Sequence, residues 1–213
     1  MTRNITTFCA GLVLAAAVAA GSALAQGILN DWKSVQAPPP PPLMRVMVDP
    51  KTTALLVLDV AKHTCNEQVR PRCVAMLPSV GKLMAKMRAR GVPVVYALGV
   101  LPTPGVPSDI WPEAAMVGDE PWVRSGPDKY LNTDLEKILK DRGASTVIVI
   151  GTASHGAVLH TASESVFRGM NVIVPVDAVA AESTYAEQYT LWHLTNAPRM
   201  ADKVKLTSVD MIE

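Results

Sequence analysis

The chain has no marked excess of charge of either sign. Its 213 residues carry 20 Lys and Arg against 19 Asp and Glu. No basic footprint for nucleic acid can be drawn from such a balance, and no Lys/Arg cluster stands ready for an anionic membrane surface. Cysteine is scarce, with only Cys9, Cys65 and Cys73. There is no His-Glu-x-x-His element and no paired-cysteine pattern, so no metal site is expected. Gly151-x4-Gly156 has the spacing of a phosphate loop, but Ala157-Val158 follows where Lys-Ser/Thr is needed. A dinucleotide fingerprint is also incomplete, because the strand before this turn is not the first and the glycine set is partial. No cofactor is therefore expected. No internal repeat is present.

The N-terminus has a different character. Met1-Thr2-Arg3-Asn4 is short and basic, Phe8 to Ala20 is apolar and Ala-rich, and Ala23-Leu24-Ala25 forms a small-residue cleavage site before Gln26. This pattern predicts a secretory signal peptide over 1–25, hence an exported, periplasmic or secreted chain. The apolar stretch is short for a membrane span, and no Cys follows the cleavage site to carry a lipid, so no stable membrane anchor is expected. A retained N-terminal anchor is the other reading. Loss of Arg3 leaves 19 basic against 19 acidic residues. Loss of Cys9 leaves Cys65 and Cys73. In an oxidising compartment their pairing as a disulfide is plausible, and two free thiols are the alternative.

Residues 26–50 read as an extended arm. The five prolines Pro38 to Pro42 fix φ and remove donors, which predicts polyproline II. The arm is read as a strap lying on the domain or on a neighbouring subunit, with partner docking as the alternative. From 51 to 213 the chain reads as one domain.

Within that domain, Ala54 to Leu58 is an apolar run ending at Asp59. A carboxylate placed where a buried strand runs out is costly without partners, which makes Asp59 a candidate site residue. Val74 to Arg90 has helical spacing and Gly91 ends it. Val92 to Leu98 reads as the second strand. Leu101 to Lys129 is long, irregular and proline-rich, the mark of a functional or disordered loop. Trp111 and Trp122 argue for order, as pocket wall or as simple packing. Leu131 to Arg142 reads as a helix with Asn132 or Thr133 near its cap.

The centre of the chain is Thr146 to Met170. Val147 to Ile150 is a β-branched run without alternation, the signature of a strand covered on both faces, and Gly151 is read as its stop. Thr152 to Gly156 is a small-residue turn, and a helix pattern starts at Ala157. Strand, tight turn and helix is where open parallel sheets place their chemistry. Backbone N–H groups there suit an anion or a developing oxyanion. Asn171 to Val176, a helix opened by Ser183, and Val204 to Leu206 complete an alternation of strands and helices. That alternation specifies an α/β fold with a parallel sheet. Ser154, Asp177 and His193 stand in the chain order of α/β-hydrolase triads, so a serine hydrolase remains open, although His193 lies in a helical pattern. His155 could line a pocket, whereas His160 reads as packed or solvated.

Several segments together resemble the isochorismatase-like (cysteine hydrolase) superfamily: ALLVLD ending at Asp59, TDLEKILKDRG from Thr133, VIVIGTASHGAVLHTA from Val147, RGMNVIVPVDA from Arg168 and AEQYTLWHL from Ala186. The resemblance runs from about Lys51 to the C-terminus. It implies a three-layer α/β/α fold with a six-stranded parallel sheet in the order 3-2-1-4-5-6, and a homo-oligomer. Active members resemble one another in using an Asp base, a Lys and a Cys nucleophile on small amides; isochorismatases proper cleave a vinyl ether without that Cys. By this resemblance Asp59 takes the place of the catalytic Asp. The lysine precedes an aromatic-x-x-Thr element, here Tyr130 to Thr133, so its nearest match is Arg124, with Lys129 as a displaced candidate. The nucleophile position is Ala157, which removes the thioester route. The Asp-His-His metal pattern of the nicotinamidases is missing from 101–129. The resemblance also implies a cis Thr152–Ala153 peptide, which would turn the Ala153 N–H toward the pocket. Ala153, Ser154, His155 and Gly156 become the expected oxyanion or substrate cradle. What is expected is therefore a hydrolase acting on a small polar molecule without a covalent step, or a small-molecule-binding protein on the same scaffold.

Overall fold

A computed structural model describes residues 28–101 and 103–213. The expected signal peptide lies outside the described residues. The chain forms two compact units, Met1–Pro39 and Pro40–Glu213. In the first, a single helical turn, α1 (Ile28–Asp31), is closed by Ser34, whose hydroxyl donates to the Asp31 carbonyl. No helix among the described residues is long and apolar enough to cross a membrane.

The second unit is a parallel sheet between two layers of helix. Its strands are β1 (Thr53–Leu58), β2 (Val94–Leu98), β3 (Trp122–Arg124), β4 (Thr146–Thr152), β5 (Asn171–Pro175), β6 (Val179–Ala180) and β7 (Val204–Thr207). The order is β3-β2-β1-β4-β5-β7, with β6 paired to the end of β4. This is the order 3-2-1-4-5-6 with one two-residue strand added. All six residues of β1 are buried, as expected of a strand covered on both faces. Period-2 alternation sends Leu55 and Val57 to one face and Ala54, Leu56 and Leu58 to the other. The first face packs on α2 (Pro71–Ala89) through Val80, Leu83, Met84 and Met87. The second packs on α3 (Leu135–Asp141), α4 (Leu159–Phe167) and α5 (Thr184–Asn196) through Leu139, Ala162, Val166 and Leu194. Residues just before β1 also join this unit: the Met44 N–H donates to Leu206 O, and Val46 bridges Ile212.

Three local expectations are corrected. Gly151 does not stop β4, which runs on to Thr152, with Gly151 opposite Leu58 of β1 and Val179 of β6. A Cβ at 151 would stand 1.9 Å from the Leu58 carbonyl oxygen, and its φ of +122° is one that L side chains rarely adopt. The glycine serves a close strand approach and not a strand end. Second, α3 starts at Leu135 with Asp134 as its cap. Thr133 stands beside that cap as expected, its hydroxyl accepting from the Leu135 N–H at 3.3 Å while donating to Lys129 O at 2.6 Å, and Asn132 has a left-handed φ of +57°. Third, the irregular 101–129 stretch contains β3, an edge strand of three residues pairing with β2 from Tyr96↔Trp122 to Leu98↔Arg124. Only its middle residue, Val123, is buried, so it leaves no apolar run to read.

Candidate functional site

The carboxyl ends of β1, β2 and β4 surround a cavity of about 640 Å³, within the size range of small-molecule sites. Asp59 is at its floor. It follows β1 directly, in a left-handed backbone conformation (φ +54°) that Asp tolerates better than most residues. Its N–H donates to Ala97 O at 3.0 Å, and its carbonyl accepts from the Thr64 hydroxyl at 2.6 Å. Both ends of the residue are thus pinned, and the carboxylate is aimed by the main chain.

The cation facing it is Lys129. Its Nζ stands 2.8 Å from Asp59 Oδ2, and the two side chains are 1% and 10% exposed. Several contacts turn this lysine inward. Its N–H donates to Thr161 Oγ1 on α4, its carbonyl accepts from Thr133, and its Nζ also donates to Ser125 O. Ser125 is itself tied down, its N–H donating to Leu98 O and its hydroxyl to the carbonyls of Asp128 and Leu131. Arg124 does not line the cavity. Its Nε donates to Gly105 O at 2.9 Å, and its guanidinium lies over the Trp122 ring. The physical reason is strand alternation: in β3 only Val123 is buried, and Arg124 is exposed.

Burial raises the Asp59 carboxyl above its ordinary range. The charge and hydrogen bond of Lys129, the nearby Gly99 N–H and His63 all pull the other way without cancelling it. Asp59 Oδ1 is buried without a hydrogen-bond partner among the described residues, an acceptor left unspent.

The opposite wall is the turn after β4. The Thr152–Ala153 peptide is cis. Thr152, Ala153, Gly156 and Ala157 line the cavity, and Ala157 is 5% exposed. The turn continues as π-helix from Ser154 to Val158 before α4 begins, so the regular helix starts later than the sequence pattern indicates; such wide turns recur at functional sites. Ser154 and His155 do not line the cavity. Ser154 Oγ is buried without a hydrogen-bond partner among the described residues, and His155 Nε2 faces Glu182 Oε1 at 3.2 Å. His160 is exposed on α4. The serine triad does not assemble: the Asp177 carboxylate accepts from Val209 N–H, and the His193 ring faces Tyr189. Neither tryptophan lines the cavity; the Trp111 indole donates to Cys65 O at 2.7 Å.

Sequence reasoning missed the third wall. His63, Thr64, Val69 and Arg70 face the cavity from the segment between β1 and α2. Cys65 and Cys73 are joined by a disulfide across this segment, with both residues fully buried. Position just after Asp59 and the cysteine bracket were the only signals available. No cluster of three or more His, Cys, Asp or Glu that could hold a metal ion occurs among the described residues.

An open parallel sheet with a paired acid and base enclosed at the carboxyl ends of its central strands defines an α/β protein of hydrolase-like architecture. The Isochorismatase domain family model matches residues 53–204, and the chain belongs to that family. The uncharacterized isochorismatase family protein YecD of Escherichia coli O157:H7 is 29% identical over 71% of this chain and 90% of its own length. The secreted isochorismatase effector Isc1 of Verticillium dahliae is 29% identical over 49% of this chain and 60% of its own. Among solved structures, a cysteine hydrolase from Pseudomonas syringae pv. phaseolicola 1448A superposes with a TM-score of 0.67, at 22% identity, over 80% of this chain and 94% of that one. That last likeness is one of fold.

Proposed function

We propose that the protein is an exported hydrolase of the isochorismatase family that acts on a small polar molecule without a cysteine nucleophile. The observation that carries this is the Asp59–Lys129 pair, enclosed at 2.8 Å on the floor of a cavity whose opposite wall presents the Ala157 methyl. Ala157 offers no nucleophile, so turnover uses water or direct protonation of the substrate, and we propose the water route. In this reading the Asp59 carboxylate takes a proton from that water as it adds to the substrate. The same carboxyl then passes the proton to the leaving group, while Lys129 holds the developing negative charge. The Ala153 and Ala157 N–H groups serve as the cradle for the oxyanion. A hydrolysis screen with small amides, esters and enol ethers tests the reading. Turnover that falls about 10²–10⁴-fold in Asp59→Asn is expected; turnover unchanged by that substitution refutes it.

Ala157 itself favours a second reading, a non-catalytic binding protein on the same scaffold. Ligand binding without turnover of any compound in that screen would select it.

Export is supported by the N-terminal pattern and by the likeness to a secreted relative. Intact mass of the mature chain should begin at Gln26, and a mature chain retaining Phe8 to Ala20 would refute cleavage. The family resemblance supports a homo-oligomer, which light scattering on the purified chain reads directly.

A further inference from the structure

We infer that the cavity is specific for a small carboxylic acid with an apolar body, and that Arg70 is the residue that selects the acid. The inference rests on the reading of this cavity as the substrate site. It starts from the charges that line it. Asp59 and Lys129 are engaged with each other, so Arg70 is the remaining formal charge on the cavity wall. Its nearest carboxylate, Glu182, is half-exposed, stands 3.4 Å from Nε and does not line the cavity. The interior therefore carries one positive charge in excess, the complement of an anion.

The guanidinium is held in place before any ligand arrives. Arg70 Nη1 donates to Thr64 O at 2.8 Å, and the Thr64 hydroxyl donates to Asp59 O at 2.6 Å. The Arg70 N–H donates to Asn66 O and its carbonyl accepts from Cys73 N–H, within the segment bracketed by the Cys65–Cys73 disulfide. A short run of bonds thus links the main chain of the floor residue Asp59 to the wall cation. Arg70 Nη2 makes no hydrogen bond to a described residue. A guanidinium with a free donor and a fixed plane suits a carboxylate, and a phosphate dianion would call for more donors than one side chain supplies.

The rest of the wall is apolar. Val69, Val100 and Leu101 line the cavity while remaining 50%, 37% and 76% exposed. Large aliphatic side chains left open at the mouth of a cavity on two separate segments mark a surface for an apolar group. A wholly polar ligand would leave them without use.

Phenylacetate, its neutral isostere phenylacetamide, and acetate are the probes, titrated calorimetrically into the full mature chain. Phenylacetate is expected to bind about 10–100-fold more tightly than phenylacetamide, the range of a charge-assisted hydrogen bond, and at least about tenfold more tightly than acetate. The first ratio should shrink with added salt. In Arg70→Gln it should collapse to about one with phenylacetamide binding retained, and Arg70→Lys should restore it in part. Val69→Ser should weaken phenylacetate and phenylacetamide alike. Equal affinity for acid and amide in the wild type, acetate binding as tightly as phenylacetate, or no measurable binding of phenylacetate would each overturn the inference. If Arg70→Gln does not fold, the wild-type ratios still decide the acid preference and Arg70→Lys decides the residue; a ratio unchanged in a folded Arg70 variant would overturn Arg70 as the selector. Binding is read apart from turnover: acid selectivity without any hydrolysis would sink the hydrolase reading alone. Asp59-dependent hydrolysis in a protein that does not prefer the acid would sink this inference alone.

Discussion

Lys129 Nζ meets Asp59 Oδ2 at 2.8 Å in a setting where neither side chain is more than 10% exposed. Two charges so enclosed have given up their water, and their attraction offsets part of that cost only while both are present. Lys129→Met would leave an uncompensated carboxylate. It should cost about 3–5 kcal/mol at neutral pH, and part of that loss should disappear in acid, where Asp59 takes up a proton. The double substitution Asp59→Leu with Lys129→Met should be less damaging than Lys129→Met alone. Urea unfolding of the variants at two pH values measures this, and simple additivity of the two single losses would show that the pair is not coupled.

The position of Asp59 also sets a pH dependence. Burial holds its carboxyl above the ordinary value of 3.8, against the opposing pull of Lys129. A base works only when ionised, so activity should fall as pH drops through this raised pKa, with an acid limb above the usual Asp range. The stability linkage has the same origin. Asp59's contribution to stability is full below the ordinary value and is lost as pH rises through the raised one. A pH–rate profile with its acid limb at or below 3.8 would contradict the role assigned to burial.

The Cys65–Cys73 disulfide staples the segment that carries Val69 and Arg70. Closing so short a loop stabilises by about 2–3 kcal/mol in the chain-entropy model. Cys65→Ala with Cys73→Ala should lower the unfolding free energy by about that amount and weaken ligand binding more than Asp59 chemistry alone explains. Denaturant unfolding and calorimetry on the same variant read both effects. Unchanged binding would show that the segment keeps its shape without the bond.

Ala157 lies in the π-helical turn after β4, and we propose that it takes the family's nucleophile position. The wild-type mature chain should resist thiol alkylation under native conditions and give no trapped acyl-enzyme. Ala157→Cys should create a thiol that reacts with iodoacetamide faster than free cysteine at neutral pH, because a helix N-terminus and the Lys129 charge both favour thiolate. A thiol no faster than free cysteine would favour the binding-protein reading.

Some of this was legible in the amino-acid order. The runs 54–58 and 147–150 announce strands covered on both faces, because no alternation is left for solvent. Ser183 announces α5, whose cap it forms by accepting from Ala186 N–H. The Asp at the end of the first strand and residues of the small-residue turn after the central one both line the candidate cavity. Other features left no trace. Trp122–Arg124 is too short and too exposed to carry a pattern, and Arg70 reads as one more surface cation ahead of a helix.

Arg124 and Lys129 show where the division falls. Both are cations in one proline-rich stretch, and spacing to Tyr130 and Thr133 places Arg124 nearer the family pattern. Amino-acid order alone carries the α/β alternation, the buried central strands and the carboxylate at the end of the first. Hydrophobic periodicity and strand-terminal charge are local properties. Which cation meets that carboxylate depends instead on long-range packing. Strand pairing of Trp122–Arg124 with β2 turned Arg124 outward, while bonds from Ser125, Thr133 and Thr161 turned Lys129 in. Those contacts join separate parts of the chain, and a side chain's direction in an irregular loop follows from the partners that packing brings to it.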